Sequence, residues 1–175
     1  MNDNWRESVR LFLLHRIPLL ATFILIFLFS VPIHSGELNY FRPMVGVICI
    51  YYWGLKYPYM FGYASAFCVG FWSDACSSSP MGINSLSAML LIFIIDRFGR
   101  YLRTAVFGLV WSAFGVITFI LLLFKWLVLA TYFGRFFSIE EVFICYLTTL
   151  MFYPLITAVN VWIQNNFLPQ ESIDE

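Results

Sequence analysis

The chain has 175 residues, 61% of them hydrophobic and only 11% charged, which is too little polar surface to cover a water-soluble globule, so the bilayer is the expected solvent. Ten Lys and Arg balance ten Asp and Glu; bulk electrostatics therefore imply neither nucleic acid nor an acidic surface as partner, and only the distribution of charge is informative. At roughly 20 residues per crossing the length allows five or six spans and little else, so residues 1–175 are expected to form a single polytopic membrane domain.

Arg6, Arg10 and Arg16 precede the first apolar run, Ile17 to Val31. No small-residue cleavage site follows, since Pro32, Ile33, His34, Ser35 and Gly36 make no Ala-x-Ala pattern, and an uncleaved first span is expected. Trp5, Val9, Phe12 and Leu13 recur at helical spacing opposite Arg6, Glu7 and Arg10, which fits either a helix lying on the headgroups or an extension of span one. Further apolar runs centre on Pro43 to Leu55, Tyr59 to Trp72, Met81 to Ile95, Ala105 to Leu129 and Val142 to Ile163. The last two are long enough to cross. The three before them measure only about 20 to 22 Å as helices, so they need flanking aromatics such as Tyr40, Phe41, Tyr57 and Tyr59, or form a re-entrant pair instead of spans two and three. Trp5, Trp53, Trp72, Trp126, Tyr132 and Trp162 stand near run ends, where rings meet headgroups.

With six spans, Arg6, Arg10, Arg16, Lys56, Arg97, Arg100 and Arg103 fall on one side and Arg42, Lys125 and Arg135 on the other. The excess places both termini in the cytoplasm, with residues 1–16 and 164–175 as cytoplasmic ends. The charged stretch from Asp96 to Arg103 is read as a topology anchor, or as a docking site for a cytoplasmic partner. Cys49, Cys68, Cys76 and Cys145 make no Cys-x-x-Cys pair and have no nearby His; they read as packing residues.

Gly62, Ala66, Gly70 and Asp74 follow one another at i+4 and form one stripe on the third helix. Lipid supplies no hydrophobic drive between helices, so small residues that let backbones approach mark a seam, either inside this chain or against another membrane protein. A carboxylate at the end of that stripe needs partners. Arg42 is the expected ion-pair partner of Asp74; the alternatives are Ser77, Ser78, Ser79 and the amides opening helix four, with Ser79 as cap and Pro80 in the first turn.

No catalytic set is visible. His15 and His34 fall on opposite sides, and neither an acid pair, a Gly-x-Ser-x-Gly elbow nor a Walker loop occurs. Catalytic, cofactor and metal sites are therefore not expected. Spans five and six offer few polar groups for transport, Ser112, Thr118, Thr148, Thr149 and Asn160, and Pro154 is expected to free a carbonyl that a neighbour satisfies.

Arg42, Pro43, Tyr52, Trp53, Pro58, Gly62, Gly70, Asp74, Pro80 and Gly82, in that order and spacing, resemble the bacterial rod shape-determining protein family MreD. The matching block runs from about Arg42 to Ile95. Met44 departs from the acidic residue that often follows the Arg-Pro pair, and Phe71, Trp72 and Ser73 replace leucines. The resemblance implies a non-enzymatic inner-membrane component of the cell-elongation machinery that binds the scaffold MreC and, through it, is linked to MreB filaments, the glycosyltransferase RodA and its penicillin-binding transpeptidase. It further implies an all-α bundle of six transmembrane helices similar to the substrate-binding subunits of energy-coupling vitamin transporters. That likeness supplies the alternative function, a small-molecule-binding subunit of a vitamin or metal transporter, although Glu37, Asn39, Asp74, Asn84 and Glu140 show no evident convergence in the sequence. Arg42, Pro43, Gly62, Ala66, Gly70, Asp74, Pro80 and Gly82 are the candidate partner-binding or structural residues.

Overall fold

A computed structural model describes residues 3–30, 43–59, 61–77, 80–134 and 138–167, with side chains from Ile17 to Asn166. Six helices account for nearly all of it: α1 (Asp3–Ser30), α2 (Val45–Lys56), α3 (Tyr63–Cys76), α4 (Ile83–Arg103), α5 (Phe107–Phe133) and α6 (Ile139–Phe167). Each apolar run of the sequence corresponds to one helix. The helix α1 continues unbroken from Asp3 through Pro18, so the N-terminal amphipathic stretch extends the first helix. The charged stretch from Asp96 to Arg103 is helical too and forms the last two turns of α4, where Arg100 and Arg103 face the negative end of the helix dipole.

The packing is a ring around a short axis. α1, α3, α4, α5 and α6 contact one another in that circular order, and α2 touches α1, α3, α4 and α6 inside the ring. α2 has only 12 residues, about 18 Å of helix, and all of Val45, Val47 to Leu55 are buried. An all-round apolar helix of that length belongs in a core. Because protein and not lipid surrounds it, α2 can stop well short of the roughly 30 Å hydrocarbon layer without exposing backbone to lipid. Trp53 is consequently fully buried, not at a headgroup boundary as its place near a run end suggests.

The exterior is apolar. On α6, Phe143, Leu147, Met151, Leu155 and Val159 are exposed at four-residue intervals, and on α5 Val116, Phe119, Ile120, Leu123 and Leu127 are exposed at the three- and four-residue spacing of one helix face. A patch of that extent is not sustained by a soluble monomer. Among the described residues, α5 and α6 are the two helices that are both long and apolar enough to cross a membrane. Inside the ring, polar contacts tie helices together. Tyr51 on α2 donates to the Val110 carbonyl of α5 at 3.0 Å and packs its ring tilted against Phe114, which stacks at 4.4 Å on Tyr153 of α6. Tyr52 donates to Gln164 of α6 at 2.5 Å. Pro154 leaves the Leu150 carbonyl without its helical donor, and the Trp111 indole of α5 reaches that oxygen at 3.5 Å, as the sequence leads one to expect.

Candidate functional site: a capped helix pair beside a polar cavity

α3 turns its small-residue stripe inward. Ala66, Gly70 and Asp74 are buried, together with Val69. A Cβ on Gly70 would lie 2.4 Å from the Ser85 Cα and 2.7 Å from its nitrogen, so at this point the backbones of α3 and α4 touch and glycine is the residue that permits it. Gly62 is the N-cap of α3, and a Cβ there would meet nothing within 4 Å; it opens the stripe without being part of the close contact.

One turn beyond Gly70, Asp74 is 2% exposed and its carboxylate sits over the start of α4. One oxygen accepts the Asn84 N–H at 3.0 Å; the other accepts the Gly82 N–H at 2.9 Å, the Ser85 N–H at 3.3 Å and the Ser85 hydroxyl at 3.1 Å. These amides belong to the N-cap and the first turn, which have no partner within the helix. A carboxylate there also meets the positive end of the dipole. Asp74 is thus an N-cap delivered by the preceding helix. α4 has no capping side chain of its own, since its N-cap is Gly82.

Gly82 adopts φ 104°, a left-handed conformation that costs a residue with a Cβ about 1 to 2 kcal/mol. The helix therefore begins at Ile83, and Pro80 lies ahead of it rather than in the first turn. The position of the carboxylate, and not a local Ser-Pro signal, sets this start. Of the donors weighed for Asp74, the amides of α4 make the contacts; Arg42, Ser78 and Ser79 lie outside the described residues. Ser77 instead bonds the Ser73 carbonyl at 2.8 Å. Pro43 leads into α2, accepting the Val45 N–H at 2.9 Å. The neighbouring Met44 N–H donates to the Thr149 hydroxyl of α6 at 3.1 Å.

The network continues through Asn84, which converges with Asp74 although the sequence shows no such convergence. Lys125, well inside α5, donates to the Asn84 Oδ1 at 2.6 Å, and the Asn84 amide nitrogen bonds the Ser77 hydroxyl at 3.3 Å. Asn84 therefore links the Lys125 ammonium to the Asp74 carboxylate through its own side chain and N–H. Together these groups border a cavity of about 270 Å³ over the N-terminal half of α2, with Ser73, Ser77, Asn84 and Lys125 on its polar side and Ile50 and Val69 among its apolar walls. Cys76 and Cys145 also line it, whereas Cys49 is buried and Cys68 lies on the exterior. The one hint in the sequence is a lysine within an otherwise apolar run.

A ring of helices with an apolar exterior, an apolar core crossed by a few buried polar contacts and two long apolar segments defines an all-helical integral membrane protein. Comparison with protein families narrows this: the family model described as rod shape-determining protein MreD matches residues 10–165. The chain belongs to that family, which is a family of membrane proteins with a role in cell shape. No curated protein sequence and no solved structure matches the chain.

Proposed function

We propose that the chain is a non-enzymatic component of the cell-elongation machinery, a six-span protein of the bacterial inner membrane with both termini in the cytoplasm, that organises lateral peptidoglycan synthesis by holding the scaffold MreC. The family match over residues 10–165 carries this reading. It extends the resemblance seen between Arg42 and Ile95 to almost the whole chain. In this reading MreB filaments, RodA and its penicillin-binding transpeptidase are reached through the scaffold and not touched directly.

The geometry supports a particular way of binding. Ala66, Gly70 and Asp74 are buried within the chain, the last two against α4, so a single-pass helix of the scaffold is received elsewhere, on the outer rim around Pro43 and Pro80 and on the apolar outer faces. In the six-span topology Lys56, Arg97, Arg100 and Arg103 lie on the cytoplasmic side, all exposed, in keeping with an inside excess of positive charge. The capped turn between α3 and α4 then faces outward and presents a rigid surface. The alternative of a vitamin or metal transporter subunit has no support from the comparisons, which match no such protein.

Photo-crosslinkers placed along α3, at the rim and on the outer faces of α5 and α6 in native membranes test this. Adducts to MreC from the rim or outer faces, with none from Ala66 or Gly70, are expected. An absence of MreC adducts at every position, in cells whose rod shape still depends on the protein, would remove the scaffold-binding mechanism. Conversion of rods to spheres on depletion checks the shape role, and reporter fusions at each terminus check the topology.

A further inference from the structure

The cavity over α2 reaches the rim at Pro43, but its polar side has no part in scaffold binding as described. Its distinctive element is Lys125. Ionisable side chains within membrane helices are rare and costly, and persist where they serve a pathway or a ligand. Lys125 precedes the end of α5 at Phe133 by about 12 Å of helix, and its hydrogen-bond acceptor among the described residues is the neutral amide of Asn84. The nearby Asp74 carboxylate is already engaged by three backbone amides and a hydroxyl of α4. The cavity therefore holds an ammonium whose direct partner is an amide. The N-terminal half of α2 also lines it, which turns the positive end of that helix dipole toward the same space.

The remaining walls suit an amphiphile. Ser73 lines the same space as the lysine and supplies a hydroxyl, the Ser77 O–H being engaged by the Ser73 carbonyl, and Ile50 and Val69 give an apolar surface below. A volume of about 270 Å³ lies just under the low end, roughly 300 Å³, of ordinary small-molecule sites, so it admits one small acid or one headgroup and not a whole lipid.

We infer that this cavity binds a small anionic group, a carboxylate or a phosphate, carried by a free small molecule or by a lipid headgroup, with Lys125 as the counter-charge and the Ser73 hydroxyl as a neighbouring hydrogen-bond donor. The inference does not rest on scaffold binding, and either can fail alone.

The test uses the full chain, purified in detergent and shown to be monodisperse. Hexanoate and inorganic phosphate are titrated as free probes while thermal unfolding is followed. In the second arm the protein is delipidated, offered vesicles of phosphatidylglycerol or phosphatidylcholine, and its retained lipid is read by native mass spectrometry. A saturable rise in Tm with a free probe assigns a soluble ligand; selective retention of phosphatidylglycerol assigns a headgroup. In either case Lys125→Met weakens binding about ten- to a hundredfold, the loss of one charge-assisted hydrogen bond, and Lys125→Arg retains most of it. Ser73→Leu, which crowds the cavity from α3 and leaves the lysine in place, also abolishes binding and decides the matter if Lys125→Met does not fold. Equal binding by the wild type and a folded Lys125→Met or Ser73→Leu variant overturns the site, as does failure of the wild type to bind any of the probes.

Discussion

The α3–α4 pair and the α5–α6 pair solve the same problem, holding two helices together in lipid, by opposite means. α3 and α4 meet backbone to backbone at Gly70 and Ser85, and a buried carboxylate locks one end of the contact. α5 and α6 meet through side chains: a Cβ on Gly115 would sit at an ordinary 3.4 Å from Leu150 and Tyr146, and most of their length faces outward as exposed apolar residues. The first pair depends on individual residues at fixed positions. The second depends on composition, because any apolar side chain of suitable size satisfies lipid. This difference explains why the resemblance carried by single residues runs only from about Arg42 to Ile95, whereas the family match over residues 10–165 also takes in α5 and α6.

Substitutions should separate the two pairs. The largest effect is expected from Gly70→Leu, whose Cβ alone would overlap the Ser85 backbone; α3 and α4 must then separate, at a cost of about 3 kcal/mol or more. Loss of monodisperse protein in size-exclusion chromatography, with Gly115→Ala retaining wild-type yield, would bear out the contrast. Next comes Asp74→Ala, which leaves the first amides of α4 buried without acceptors and should destabilise by about 2 to 3 kcal/mol, read as a lowered thermal midpoint in detergent. Asp74→Asn keeps one accepting oxygen and should fall between alanine and wild type. Gly82→Ala meets no steric obstacle but must hold a positive φ, for a loss of about 1 kcal/mol; Gly82→Asn should lose less, since asparagine tolerates that region better. Smallest of all, Leu147→Ala or Met151→Ala on the outer face of α6 should change stability by no more than about 0.5 kcal/mol. A loss at Met151 comparable to that at Asp74 would mean that this face is packed against protein, and would overturn its assignment to lipid.

Legibility followed the same division. The two long spans were readable because lipid selects for unbroken apolar runs, a local property of the chain. The ends of α2, α3 and α4 were less so: α3 starts at Tyr63 rather than Tyr59, and α4 extends to Arg103 through charged, largely exposed turns, so local hydrophobicity does not mark where these helices start and stop. The need of Asp74 for partners could be argued from cost alone, and the amides of α4 stood among the candidates. Gly82 as the cap position was not foreseen, because the Ser-Pro signal before it is a good local start that a tertiary contact overrides. The Lys125 to Asn84 bond joins residues 41 positions apart on helices whose rotation about their own axes is set by packing, and neither helix betrays that rotation in its own pattern.

The borrowed cap on α4 has a consequence for how the chain enters the bilayer. A lone α3 would carry an ionised Asp74 toward hydrocarbon, a transfer that costs about 3 kcal/mol at mid-span and less near the edge, and a lone α4 would arrive with its first amides bare. Each segment is a poor passenger alone, and together they cancel one another's liability. The two are therefore expected to leave the translocation machinery as a hairpin, so that Asp74→Ala eases the exit of α3 while delaying that of α4.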